Sequence, residues 1–251
     1  MRIGLVVIGF AALLSLALPA PAFGAPPKTG RVWLYGNFTA VLNPNWSVTA
    51  MPGTRFELLR SNADARQRYM DELFVGPTFH HRSGAFGLRL SLWYYATGMS
   101  DAAKDRYYQT HSVELIPTIE CRVGDWAFSS RTIFHNTVWA SVYETDPLRR
   151  GYGLVIREMV QARRKVSDVV ALQAAVEPFV GLRQDAEAKP DMRGYWPTGL
   201  RLVRFYAGAD FKLTKSLSVT PQYVIEPAFV DGDVKEWGNY LFLTASYVYA
   251  R

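Results

Sequence analysis

Between Phe86 and Thr97 the chain alternates residue by residue. Phe86, Leu88, Leu90, Leu92, Tyr94 and Ala96 fall on one face, and Gly87, Arg89, Ser91, Trp93, Tyr95 and Thr97 on the other. Side chains on a strand point to opposite faces in turn, so period two reads as a strand with one greasy and one more polar side. The pattern recurs. In 169–183, Val170, Leu172, Ala174, Val176, Pro178, Val180 and Leu182 oppose Gln173, Glu177 and Arg183. In 216–226, Leu217, Val219, Pro221, Tyr223 and Ile225 oppose Ser216, Ser218, Thr220, Gln222 and Glu226.

Eleven strand-like segments follow from this reading: 31–42, 46–60, 69–80, 85–97, 108–121, 126–143, 152–164, 168–183, 199–213, 216–229 and 238–250. The second is the weakest, because Pro52-Gly53 interrupts it and predicts a bulge or kink. The expected fold is all-β, a single antiparallel transmembrane β-barrel of 10–12 strands. Antiparallel closure wants an even count, so ten or twelve strands are expected. Either the count of segments is off by one strand, or residues 25–42 pair irregularly or thread the lumen.

Connections alternate in length. Asn43-Pro44-Asn45, Arg82-Ser83-Gly84, 122–125, 165–167 and Thr214-Lys215 are tight, whereas 61–68, 98–107, 144–151, 184–198 and 230–237 are longer and polar. Short turns at one rim and long loops at the other are the arrangement of outer-membrane barrels. A Greek-key sandwich has no reason to keep this order.

The N-terminus adds a compartment. Arg2 precedes an apolar run from Ile3 to Leu18, and Ala20-Pro21-Ala22 and Ala22-Phe23-Gly24 offer small-residue cleavage sites. This reads as a signal peptide over 1–24, ahead of a barrel domain over 25–251. Pro19 and Pro21 end the run too early for a membrane anchor. No later stretch approaches the about 20 apolar residues of a membrane helix. The expected location is the outer membrane of a Gram-negative bacterium.

Composition narrows the partners. The chain carries 28 basic and 22 acidic residues, net +6, with the two signs interspersed. No basic stripe marks a nucleic-acid surface. Cys121 is the single cysteine, so no intramolecular disulfide or zinc spacing is available. The 14% aromatic share suits interfacial girdles. Expected partners are outer-membrane lipid, small solutes or ions, and the barrel-insertion machinery during assembly; no cofactor or metal is expected.

The inward faces carry charges of both signs: Glu72, Arg89, Glu114, Glu120, Arg131, Arg157, Glu177, Arg183, Arg204, Asp210, Lys212 and Glu226. In a narrow lumen these pair across the barrel, since a lone charge there is costly. They serve either as structural filling or as a selectivity lining. Arg89 tests the register. With Leu88 and Leu90 in lipid it faces the lumen, where Glu72 and Glu114 on neighbouring strands are its expected partners.

Catalytic residues are not expected. His81-Arg82-Ser83 has the His-x-Ser spacing of outer-membrane lipid hydrolases, but Tyr95 and Ala96 stand about where a third polar residue would orient the His. His111-Ser112 lacks the spacing, and His135 reads as a hydrogen-bonded lumen residue. Trp46 and Trp126 beside tight turns, and Tyr107-Tyr108, Tyr195-Trp196 and Trp237 beside long loops, read as two aromatic girdles. The loop group alternatively forms a ligand platform. The leading functional reading is a structural or narrow-pore barrel; the alternatives are a lipid-modifying or hydrolytic enzyme and a surface-binding barrel.

Three pieces carry a family resemblance. They are Leu42-Asn43-Pro44-Asn45-Trp46-Ser47-Val48, the hairpin start Trp126-Ala127-Phe128-Ser129-Ser130-Arg131, and Tyr206-Ala207-Gly208-Ala209-Asp210-Phe211-Lys212-Leu213 with its turn and Tyr223. With them, the layout from Trp33 to Tyr249 resembles a family of outer-membrane β-barrels known as domain of unknown function 2490. The resemblance implies a fold and a location and brings no catalytic residue. The chain departs from a common barrel ending by stopping at Ala250-Arg251 rather than on a terminal aromatic.

Overall fold

The computed structural model describes residues 28–60, 67–101, 106–141, 149–183 and 198–250. The expected signal peptide lies outside the described residues. So do the centres of the long connections, at 61–66, 102–105, 142–148 and 184–197, together with the side chains of Tyr107, Tyr108, Tyr195 and Trp196.

The described residues form eleven strands: β1 (Lys28–Asn43), β2 (Trp46–Arg60), β3 (Gln67–Ser83), β4 (Phe86–Asp101), β5 (Arg106–Val123), β6 (Trp126–Ser141), β7 (Arg149–Lys165), β8 (Val170–Arg183), β9 (Gly199–Lys212), β10 (Leu217–Val230) and β11 (Asp233–Ala250). Each pairs with its sequence neighbours, and the sheet closes into a barrel. The expected even count is corrected here. Closure is made by β1 lying parallel to β11, from Lys28 opposite Trp237 to Val41 opposite Ala250. One parallel seam lets an odd number of strands close, because both closing strands then run toward the same rim.

Two further expectations change. Residues 230–237 are not a long loop: β10 and β11 are joined directly at Asp231-Gly232. Both turn residues have positive φ, 52° and 86°, the conformation that a tight two-residue hairpin requires and that Asp and Gly supply. The bulge expected at Pro52-Gly53 lies further on: these two residues pair in register with Leu73 and Glu72, and the register shift between β2 and β3 falls between Arg55 and Phe56. Pro52 stands on the outer face, and Gly53 makes room inside, where a Cβ would lie 2.3 Å from the Tyr35 ring.

The pleat fixes what each face meets. Along β4 and β5, the outer rungs pair Leu88 with Ile119, Leu90 with Pro117, Leu92 with Leu115 and Tyr94 with Val113. Leu90 and Leu92 are 44% and 53% exposed, and Phe38, Phe128, Val160, Phe205 and Leu241 are similarly open elsewhere around the wall. An apolar exterior of this extent, interrupted by the Ser130, Thr132 and Glu158 group on β6 and β7, is far larger than a water-facing surface tolerates and matches hydrocarbon. Trp46 and Trp126 stand exposed at the tight-turn rim, with the Arg164 guanidinium over the Trp126 ring.

Candidate functional site

The inner face is where polar chemistry collects. Trp33, Tyr35, Phe74, Tyr95, Tyr206, Val224 and Tyr240 form one buried cluster, with Met51, Trp93, Met159, Ala175 and Phe242 packed against it. These residues come from β1, β2, β3, β4, β7, β8, β9, β10 and β11, so the cluster spans the barrel rather than lining one wall. Arg55 and Arg204 stack on its Trp33, and Arg204 and Arg157 stack on Phe179 of a neighbouring buried cluster. Arg55 lies 4.1 Å from the Trp33 ring centroid. Arg204 lies over Trp33 at 4.8 Å and over Phe179 at 4.4 Å. Arg157 covers Phe179 at 4.5 Å. Such stacking favours Arg, whose planar, weakly hydrated guanidinium suits an aromatic face.

Three carboxylates inside this belt are held alike. Glu72 on β3 accepts from Arg55 on β2, at 2.6 and 2.8 Å, and from the hydroxyls of Tyr95 on β4 and Tyr35. Glu177 on β8 accepts from Arg157 on β7, at 2.9 and 3.2 Å, and from Tyr206 on β9 at 2.6 Å. Glu226 on β10 accepts from Arg204 on β9, at 2.5 Å, and from Tyr240 on β11. Each set is therefore Arg, Glu and Tyr on three successive strands. The Arg supplies the counter-charge and the Tyr satisfies a remaining lone pair, which is what a buried carboxylate needs. Gly238 lets the Tyr240 ring lie flat on the wall: a Cβ there would stand 2.1 Å from the Tyr240 oxygen.

The other charges join the same system. Glu114 takes His135 Nδ1 at 2.7 Å and Arg157 at 3.8 Å. Ser112 and Thr137 each approach His135 Nε2 at 3.2 Å, so His135 does sit in the lumen. Arg131 reaches Glu177 at 3.6 Å and Met159 Sδ at 3.3 Å. Arg31, near the loop-side rim, contacts Glu57, Glu236 and Tyr240.

Most of the anticipated inward charges therefore meet, with three corrections. Arg89 faces inward, but its partner is Glu120 at 2.8 Å rather than Glu72 or Glu114. Those two sit higher, inside the belt, whereas Glu120 shares the turn-side level of Arg89. Arg183 is exposed at the loop-side end of β8, opposite Leu154 beyond a register shift that ends the simple alternation. Lys212 is exposed at the turn-side rim, because β9 ends there. Asp210 lies just inside the same mouth, bound by Arg163 at 2.7 Å and Thr220 at 3.1 Å.

The alternation already separated Trp93 and Tyr95 from the leucines of β4. What it did not give is the role of the inward tyrosines, or of Arg31, Arg55, Glu57 and Glu236. Arg55 lies just past Pro52-Gly53, in the segment whose pattern is weakest. The signal for the tyrosines was their inward position one strand beyond an inward Glu.

On the tight-turn side of the belt the lumen opens into a vestibule of about 430 Å³. Its floor is formed by belt residues including Trp33, Tyr35 and Tyr206, and its walls are mainly Asn, Gln, Ser and Thr with Arg89, Trp93 and Arg131. His81 and Ser83 are exposed at the turn-side rim, away from this space. His111 points outward to the Tyr94 hydroxyl, while its neighbour Ser112 points inward. Among the described residues, no group of His, Cys, Asp and Glu is arranged to hold a metal ion.

No family model matches the sequence, and no curated protein gives a significant match. Among solved structures, the chain is similar to the translocator domain of the autotransporter NalP from Neisseria meningitidis, with a TM-score of 0.45 and 14% identity over 80% of this chain and 74% of that one. The fold itself, a closed barrel with an apolar exterior and a polar interior, is of the outer-membrane type.

Proposed function

We propose that this protein is an integral outer-membrane barrel with a filled lumen, not an open pore, and that its central belt of Arg, Glu and aromatic side chains seals it at mid-height. The observation that carries this reading is a buried cluster fed by nine of the eleven strands, tied by Arg204 between its Trp33 on β1 and Phe179 on β8. A conducting lining would leave its charged groups hydrated and facing a channel. Here Glu114 and Glu177 are at most 1% exposed and tied to donors from neighbouring strands. Residues beyond the belt on the tight-turn side form a blind vestibule. The segments Leu42–Val48, Trp126–Arg131 and Tyr206–Leu213 support, on this proposal, a resemblance to the domain of unknown function 2490 family.

Location and closure are tested separately. Envelope fractionation with a carbonate wash is expected to leave the protein in the outer-membrane pellet, with heat-modifiable gel mobility; release into the soluble periplasmic fraction would defeat the location. Pure protein in planar bilayers is expected to show no discrete current steps. Trp33→Ala removes the ring on which Arg55, Arg204 and Tyr240 stack and is expected to create them. Regular steps from the unmodified protein would restore the narrow-pore reading.

A further inference from the structure

The vestibule contains donors that the protein leaves unused. Nε of Arg89, Nε of Arg131 and Nε1 of Trp93 are buried polar atoms without a protein acceptor, and all three residues line this one cavity. Unpaired buried donors are uncommon in native proteins and call for an acceptor. The guanidinium ends stay within reach, since the Arg89 and Arg131 side chains remain 43% and 34% exposed. A volume of about 430 Å³ falls in the range of small-molecule sites.

The route into the vestibule carries a net positive charge. At the tight-turn rim stand Arg82, Arg122, Arg163, Arg164, Lys165, Lys212 and Lys215, against Asp125 and Asp168. Glu120 and Asp210, just inside, engage Arg82 and Arg163, and Asp168 engages Lys165 at 2.6 Å, which leaves the rim with a surplus of positive charge. Lys165, Lys212 and Lys215 line a recess of about 500 Å³ at the mouth, together with Ser167, Thr214 and Ser216. A mouth with an excess of one sign above a low-dielectric wall focuses its field and concentrates solutes of the opposite sign.

We propose that the vestibule binds a small anionic solute, of the carboxylate or phosphate class, that enters past the tight turns and is held by Arg89, Arg131 and Trp93. The acids nearest this site are turned to other donors. Glu120 is engaged by Arg89 and Arg82, while Glu72 and Glu114, which line the cavity where it meets the belt, are held by Arg55 and by His135 and Arg157 respectively. Arg89 is partly committed to Glu120, but the lining carries five arginines against two carboxylates, and the remaining forked donors of Arg89 and Arg131 suit carboxylate and phosphate oxygens. Trp93 adds a neutral N–H and an apolar ring edge. The proposal rests on the filled-lumen reading only for the vestibule's closed floor.

Isothermal titration of the purified barrel in zwitterionic detergent at low salt tests it, with inorganic phosphate, citrate, glucose and spermidine as probes. Saturable heat is expected for phosphate or citrate, weakening as salt rises, and none for glucose or spermidine. Arg89→Gln and Arg131→Gln should each weaken the binding about tenfold, the value of one charge-assisted hydrogen bond, while heat-modifiable mobility persists. Where Arg131→Gln does not fold, Arg89→Gln and Trp93→Phe carry the test, because both sit on the turn side of the belt. The same titration in nanodiscs of phosphatidylcholine, with and without phosphatidylglycerol, separates a free solute from a lipid headgroup, and equal binding in both is expected. The proposal is overturned by absent anion binding, by equal binding of glucose, by unchanged affinity in the variants, or by loss of binding when the anionic lipid is present. Failed binding leaves the bilayer result untouched, so it is distinguishable from failure of the filled-lumen reading.

Discussion

Glu177→Ala is expected to destabilise the barrel by about 3–5 kcal/mol, the usual cost of removing one partner from a buried ion pair. Glu177 is fully buried and accepts from Arg157 and Tyr206, with Arg131 at 3.6 Å. Truncation leaves Arg157 with Glu114 at 3.8 Å as its remaining counter-charge and strips the Tyr206 hydroxyl of its acceptor. The penalty is an uncompensated buried charge more than a lost contact. Glu177→Gln keeps the acceptor for Tyr206 but removes the charge, so it is expected to fall between the wild type and Ala. Reversible urea unfolding in micelles, followed by tryptophan emission and heat-modifiable mobility, measures the series. A stability for Glu177→Ala equal to wild type would mean that the belt contributes nothing to the fold.

Leu90→Arg is expected to cost about 2–4 kcal/mol, the penalty for a basic side chain on the lipid face near the bilayer midplane. Leu90 lies on the outer face of β4, flanked by Phe79 on β3 and Pro117 on β5, and is 44% exposed. One residue away, Arg89 is accommodated because the pleat turns it inward to Glu120. The pair therefore separates position from chemistry: the same side chain is tolerated at 89 and costly at 90. Leu90→Ala, which keeps the surface apolar, should lose much less. Folding yield into detergent or lipid, read by heat-modifiable mobility, is the measurement. An Arg at 90 that folds as well as Leu would place this face outside the hydrocarbon.

The inner charges divide instructively. Glu72, Glu114, Glu177, Arg157, Arg204 and Glu226 could be placed inward from the alternation alone, since a strand has only two faces. Their partners could not. Arg89 reaches Glu120 because the β4–β5 register puts Gly87 opposite Glu120 and Arg89 opposite Thr118, one rung away. Glu72 and Glu114 are separated from Arg89 by two or more rungs. Arg183 shows the other limit. A register shift near the end of β8 breaks the parity that alternation assumes, and strand ends are where such shifts are tolerated.

The aromatic residues were harder still. Trp46 and Trp126 fit the girdle expected from their places beside tight turns. Tyr35, Tyr95, Tyr206 and Tyr240 instead turn inward and satisfy carboxylates. A tyrosine is equally suited to a membrane interface and to a buried hydrogen bond, so residue type does not decide between them. The face does, and for Tyr95, Tyr206 and Tyr240 so does a Glu on the adjacent strand.

What the sequence determined by itself is local: strand identity, the two faces of each strand and the tight turns, all written in period-two alternation and in short Asn, Gly, Ser and Pro connections. Tertiary structure decided whatever depends on distant strands meeting. The parallel seam of β1 with β11 brings together the ends of the described chain, and no local pattern encodes which strand an edge will find. The meeting of Trp33 from β1 with Arg204 from β9 follows from that closure, because barrel curvature sets which inward side chains converge. The belt of side chains across the lumen and the vestibule beneath it are consequences of that convergence, and so belong to the closed barrel rather than to any one strand.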